Sequence, residues 1–171
     1  MNIVVLSGSP RADGNTVSMV QAFREGAEEA GHKVKVFDVA KMNLKGCLAC
    51  EYCHTKGEGL CIQQDDMQLI YPAVREADVL VLASPVYYFT LSAQTQMALQ
   101  RLYCIGKPPK KMALLLSSHS PNVYAAAKSQ LEQVVAYCGG QSLGVITAFG
   151  EENKSAAKLE ECRTFGKNMR W

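Results

Sequence analysis

The sequence predicts an α/β fold: a three-layer sandwich whose five-stranded parallel sheet, in strand order 2-1-3-4-5, carries helices on both faces. Three observations predict it. Short apolar runs alternate five times with longer amphipathic stretches, the pattern left by parallel strands joined through right-handed helical crossovers. The runs are compact and β-branched, and glycine or proline follows several of them, as buried strands require. At 171 residues the chain suits five such units in one domain spanning 1–171, whereas a six-stranded dinucleotide fold needs more chain.

Asn2–Ser7 ("NIVVLS") is the first strand, closed by Gly8 and Pro10. A helix follows from Asn15 to about Ala30, with apolar residues at helical spacing and Gly31 as its stop. Lys33–Asp38 ("KVKVFD") alternates polar and apolar residues, as a half-exposed strand does. A glycine-bearing loop comes next, and Asp65 or Asp66 can cap the helix that runs to about Glu76. Asp78–Ala83 is the third strand, ended by Pro85, and a helix begins near Ser92. Lys111–Leu116 is the fourth strand, Asn122–Tyr137 a helix stopped by Gly139–Gly140, Ser142–Ala148 the fifth strand and Asn153–Asn168 the last helix.

Composition excludes several classes. A formal net charge of +2 with a fifth of the residues charged gives no basic face for nucleic acid or a membrane surface. No apolar run approaches the roughly 20 residues of a membrane span, and the one at the amino terminus is too short for a signal peptide. The expectation is a cytoplasmic protein with reduced thiols, so seven cysteines, an odd number, do not suggest a disulfide framework.

In sheets of this order, ligands sit beyond the carboxyl ends of the strands at the switch point beside the first strand. There the first strand leads into "SGSPRADGNT" (Ser7–Thr16), with glycines, hydroxyls and one arginine just before a helix. Orphan backbone N–H groups and the helix dipole favour an anion at that place. Ser9, Asn15 and Thr16 can add hydrogen bonds and Arg11 a charge-assisted one. The loop has neither Gly-Lys-Ser/Thr nor Gly-x-Gly-x-x-Gly; the plainer alternative is a tight turn with Asn15 as cap.

The third strand, on the other side of the switch point, leads into "SPVYYFTLSAQ" (Ser84–Gln94). Together the two loops resemble the NAD(P)H-dependent FMN reductase family of flavodoxin-like proteins. The match runs over most of the chain, including "DDM" (Asp65–Met67) and "EADVLVLASPVYY" (Glu76–Tyr88). The resemblance implies a flavodoxin-like fold, bound FMN, NAD(P)H as electron donor and a homodimer. It implies that Ser9, Arg11, Asn15 and Thr16 hold the FMN phosphate, and that Pro85, Val86, Tyr87 and Tyr88 lie against the isoalloxazine ring. Tyr88 and Phe89 also suit packing on a partner subunit. In "SSHSPN", after the fourth strand, His119 can meet flavin or substrate, or stand solvated. Where the family commonly shows a lysine and an Asp-Arg pair, this chain has Gln96 and Gln100–Arg101, groups expected in helix packing or subunit contact.

"GCLACEYCHTKGEGLC" (Gly46–Cys61) holds Cys47, Cys50 and Cys53 as Cys-x-x-Cys-x-x-Cys, with Cys61 further on. Structural zinc uses two separated pairs, whereas a compact triplet suits an iron–sulfur cluster, on which several thiolates converge. The spacing also resembles that of the iron–sulfur flavoproteins, a branch of the same fold, and that resemblance implies a 4Fe-4S cluster ligated by all four cysteines. Reduced thiols, a redox-active pair and zinc are the alternatives. Cys104, Cys138 and Cys162 stand singly in helical patterns, where burial is the default.

The expected function is an FMN-dependent oxidoreductase passing electrons from NAD(P)H to a quinone, flavin, metal or other acceptor. The cofactor carries the chemistry, so no catalytic acid–base residue is required. An iron–sulfur flavoprotein electron carrier without nicotinamide chemistry, or a thiol-based redox sensor, are the alternatives.

Overall fold

A computed structural model describes residues 1–170; Trp171, the last residue of the expected domain, lies outside them. The strands are β1 (Asn2–Ser7), β2 (Lys33–Asp38), β3 (Val79–Tyr87), β4 (Thr90–Leu91), β5 (Lys111–Ser118) and β6 (Gln141–Phe149). The helices are α1 (Asn15–Glu29), α2 (Met67–Arg75), α3 (Ala93–Arg101), α4 (Ala125–Cys138) and α5 (Ala156–Lys167). The main sheet runs β2-β1-β3-β5-β6 with parallel neighbours, which is the expected order with the two-residue β4 added beside β3.

Alternation along the strands divides the core between two faces. Ile3 and Val5 of β1, with Val79 and Val81 of β3, pack beneath Met19 and Phe23 of α1 and Cys162 of α5. Val4, Leu6, Leu80 and Leu82 face the other way, against Ile70 of α2, Leu99 of α3 and Leu131 of α4. Cys104, Cys138 and Cys162 are buried as expected. Helices α1 and α5 approach so closely that a Cβ on Gly26 would lie 1.9 Å from the Arg163 carbonyl oxygen, and one on Gly166 2.1 Å from that of Phe23. No helix among the described residues is long and apolar enough to cross a membrane.

Three local expectations are corrected. Strand β3 runs through Pro85 to Tyr87 rather than stopping there, because its extension pairs antiparallel with β4. The turn between them is Tyr88–Phe89, both with positive φ (49° and 70°), a conformation that hairpins usually fill with Asn-Gly. Helix α4 starts at Ala125 rather than Asn122, whose left-handed φ of 61° cannot continue a helix. The last helix begins at Ala156, where Ser155 Oγ accepts from the Lys158 N–H, after a 3₁₀ segment over Gly150–Lys154.

Candidate functional site

The carboxyl ends of β1, β3, β5 and β6 open onto one cleft of about 540 Å³, within the range of small-molecule and cofactor sites. Its floor at β1 is made by Ser9, Arg11, Gly14, Asn15 and Thr16. Gly14, rather than Asn15, occupies the cap position of α1, with extended backbone and no side-chain cap. The first-turn N–H groups are thus left without a side-chain acceptor and can meet an anion. A Cβ on Gly14 would lie 2.5 Å from Ser9 Oγ, so the loop closes only around glycine. Thr16 is buried and its Oγ1 lies 2.7 Å from Ser117 Oγ, which ties the loop to β5. Lys154 donates to the Asp13 carbonyl (2.6 Å) and ties it to the segment after β6.

Pro85, Val86 and Tyr87 form the facing wall, and His119 lines the rim. Eight of the nine residues expected at the cofactor therefore border this cleft. Tyr88 does not: it is 96 % exposed at the tip of the β3–β4 turn. Ser92 holds the wall in register, since its Oγ donates to the Gly8 carbonyl (2.9 Å) and its N–H to Ser84 Oγ (2.8 Å). A Cβ on Gly8 would lie 1.8 Å from Thr95 Oγ1, so α3 packs directly on the first loop.

Ser117, Ser118, Gly150, Glu151 and Asn153 also line the cleft, and sequence reasoning missed them. Asn153 is the most telling. Its side chain is buried, its amide nitrogen donates to the Ser118 and Gly150 carbonyls (2.9 and 2.8 Å), and its Oδ1 has no partner. An unmet buried acceptor costs free energy, and a ligand donor in the cleft would satisfy it. The cleft thus fits FMN in size, in anion-binding loop and in an unused acceptor.

The cysteine segment follows β2 and folds back along α3. Cys47, Cys50, Cys53 and Cys61 all border one small cavity, joined by Arg101, Tyr103 and Cys104. Its free space of about 20 Å³ has room for one water. Cys47 and Cys50 are exposed, and among the described residues no three His, Cys, Asp or Glu side chains converge as a metal site requires. The four thiols share a wall without being drawn together. Ala49 and Glu51, between the first three cysteines, have positive φ (52° and 55°), which curls the backbone around the cavity. Two clamps hold the segment: His54 Nε2 hydrogen-bonds the Tyr103 carbonyl (2.9 Å), and the Tyr103 hydroxyl donates to the Glu51 carboxylate.

Behind the cavity lies a buried ion pair. Arg101 and Asp65 are each 1 % exposed at the side chain. Burial raises the Asp65 carboxyl, but the hydrogen bonds from Arg101 and from the Lys45 and Met67 N–H groups outweigh it and hold the group below its ordinary value. For Arg101 burial works the other way, and the bond to Asp65 wins, pushing the guanidinium up. Asp66 occupies the cap position of α2 without a side-chain cap bond; its Oδ2 instead accepts from the Asn43 N–H, while Asp65 Oδ1 accepts from that of Met67. Arg101 therefore serves its own chain's packing rather than a subunit contact. Gln96 also packs helices, exchanging amide hydrogen bonds with Gln130 of α4 (2.9 and 2.8 Å). Burial pushes the Cys53 thiol above its ordinary value and that of Cys104 up to about 11.

Fold and site together define a flavodoxin-like α/β protein with a cofactor-sized cleft at the topological switch point. The chain belongs to the NADPH-dependent FMN reductase family, which matches residues 1–154. An iron-sulfur flavoprotein of Archaeoglobus fulgidus is 36 % identical over 109 residues, 64 % of this chain and 49 % of that protein. One of Methanocaldococcus jannaschii is 37 % identical over 101 residues, 59 % and 51 % respectively. The chain spans about half the length of these curated relatives. In structure it resembles an NAD(P)H:quinone oxidoreductase from Methanothermobacter marburgensis, with TM-score 0.75, 20 % identity, and 97 % of this chain and 94 % of that one covered. An azoreductase from Bacillus anthracis gives TM-score 0.71, 18 % identity and coverages of 98 % and 99 %. Likeness at those identities is one of fold.

Proposed function

We propose that the protein is an FMN-dependent oxidoreductase that takes electrons from NAD(P)H and passes them to a quinone, flavin, metal or other acceptor. The observation that carries this reading is the meeting of the Ser9–Thr16 loop and the Pro85–Tyr87 wall across one cleft. Arg11 and the first turn of α1 would take the phosphate. Thr16 and Ser117, already bonded to each other, would hold the loop rigid beneath it. Val86 and Tyr87 would cover one side of the ring and exclude water from it, and Asn153 Oδ1 would accept a cofactor hydroxyl or ring N–H. FMN supplies hydride acceptance and one-electron transfer when bound. His119 on the rim would meet the incoming reductant or acceptor. Thiols free of disulfides suit the cytoplasm, where we place the protein; residues 1–171 would act as one FMN-binding domain. The exposed Tyr88 and Phe89 would pack on a second copy in a homodimer.

The test is anaerobic titration of the FMN-loaded protein with NADPH. Prompt bleaching of the flavin bands supports the reading; a flavin that dithionite bleaches and NADPH does not would sink it.

One observation favours an addition. All four cysteines of the Cys47–Cys61 segment border the same cavity beside a buried cation, and the donor set is sulfur throughout. That donor set suits a 4Fe-4S cluster only if the four thiols are drawn together, and the protein would then be an electron carrier without nicotinamide chemistry. Iron counting after anaerobic reconstitution decides this, with about four iron atoms per chain expected.

A further inference from the structure

The cysteine segment and the end of α3 meet through two short 3₁₀ turns, Tyr52–His54 and Leu102–Ile105. Each turn carries one thiol inward. Cys104 is part of the core beneath α3, and Cys53 packs against that core from the segment. Both border the same cavity, whose free space of about 20 Å³ leaves little between them, and the two thiols lie within hydrogen-bonding reach of each other. The Gly59 peptide joins them a second time: its carbonyl accepts from Cys104 Sγ (3.2 Å), and its N–H donates to the Cys53 carbonyl (2.8 Å). On either side of Cys53 the segment is clamped to Tyr103, the residue before Cys104. The Tyr103 hydroxyl donates to the Glu51 carboxylate, and His54 Nε2 hydrogen-bonds the Tyr103 carbonyl. A cavity this tight suits a direct sulfur–sulfur bond, which asks for no space of its own.

We infer that Cys53 and Cys104 are a dithiol–disulfide couple, a modification site that ties the cysteine segment covalently to the end of α3. The inference stands apart from the FMN reading, and in the oxidised state it withdraws Cys53 from any other use. The oxidant is a hydroperoxide. Cys53, the less buried of the two, attacks it; the O–O bond breaks, Cys53 becomes a sulfenic acid and an alcohol leaves, or water where the oxidant is hydrogen peroxide. Cys104 Sγ then displaces the sulfenic oxygen as a second water and the S–S bond forms. Two thiols thus lose two electrons to the peroxide oxygens, and their two protons end in the alcohol and the water. Burial raises both thiols above their ordinary values, so the pair rests reduced and answers sustained peroxide rather than traces.

Trypsin separates the partners. Cys47, Cys50 and Cys53 fall on one peptide (46–56), Cys61 on another (57–75), and Cys104 alone on a third (102–110). The FMN-loaded full chain, dialysed against a chelator, is exposed to hydrogen peroxide; free thiols are blocked with N-ethylmaleimide and the digest is read by mass spectrometry. The expected result is a linked 46–56/102–110 peptide that replaces most of the free 102–110 peptide while the flavin stays bound, and that dithiothreitol splits. Cys47→Ser/Cys50→Ser, which changes only exposed cysteines, should keep the link, and Cys53→Ser should abolish it.

A Cys104 that stays a free thiol overturns the inference, as does a link from 102–110 to 57–75 or one that survives Cys53→Ser. A link that forms only after the flavin is released comes from unfolded chain and overturns it too. If Cys104 serves packing alone, it remains unlinked in wild type and in both variants.

Discussion

At the residue scale, space and charge fix the outcome of single substitutions. A Cβ on Gly8 meets Thr95 Oγ1 and Ser92 Oγ, at 1.8 and 2.5 Å. Gly8→Ala should therefore lower stability by about 1–3 kcal/mol and weaken FMN binding by displacing the loop; Thr95→Ala in the same chain should recover part of both losses, read by thermal melts and FMN titration. With Arg11 on the phosphate as proposed, Arg11→Ala should cost one charge-assisted bond, about 1.5–3 kcal/mol, or roughly 10- to 150-fold in the FMN dissociation constant. The paired Asp65 predicts acid lability. Its folded-state pKa lies below the ordinary 3.8, so its stabilisation is complete above that value and is lost as pH falls through the lower folded one. Urea midpoints measured from pH 6 downward should fall off below about pH 4, and Asp65→Asn should flatten that fall.

At the element scale, helix propensity and packing pull apart at the α1–α5 seam. Alanine is favoured over glycine within a helix by about 1 kcal/mol, yet a methyl group on Gly166 runs into the Phe23 backbone. Gly166→Ala should thus destabilise by about 1–3 kcal/mol despite its better propensity, checked by chemical denaturation. The Tyr88–Phe89 turn works in the reverse sense. Left-handed bulky residues cost about 1–3 kcal/mol each, so Tyr88→Asn/Phe89→Gly should stabilise the monomer while weakening any dimer seen by light scattering. Strands β1, β3 and β5 were legible because apolar runs buried on both faces stand out from everything near them, and β2 because its residues alternate. The β3–β4 hairpin was not, since Tyr-Phe carries none of the usual turn chemistry. The phosphate loop and the Pro85–Tyr87 wall were readable from their place at strand ends. Ser117 and Asn153 were hidden, because small polar residues near strand ends are ordinary and only a fold brings them to the cleft. Arg101 was expected in helix packing or subunit contact, but its partner was hidden, because Asp65 lies 36 residues away.

At the scale of the whole molecule, the cleft and the cysteine cavity share no lining residue. Replacing Cys47, Cys50, Cys53 and Cys61 together by serine should leave the FMN dissociation constant within about twofold. A large loss of FMN affinity in that variant would show that the two sites are built as one.

Helix α3 joins them. Near its start Ser92 grips the first loop through the Gly8 carbonyl, and at its end Arg101 grips Cys61. Nine helical residues at about 1.5 Å each span about 13 Å. The helix acts as a ruler: it sets the spacing between the cleft and the cysteine cavity by the rise of a peptide backbone, so the loops around either can diverge in sequence or length while that spacing is kept.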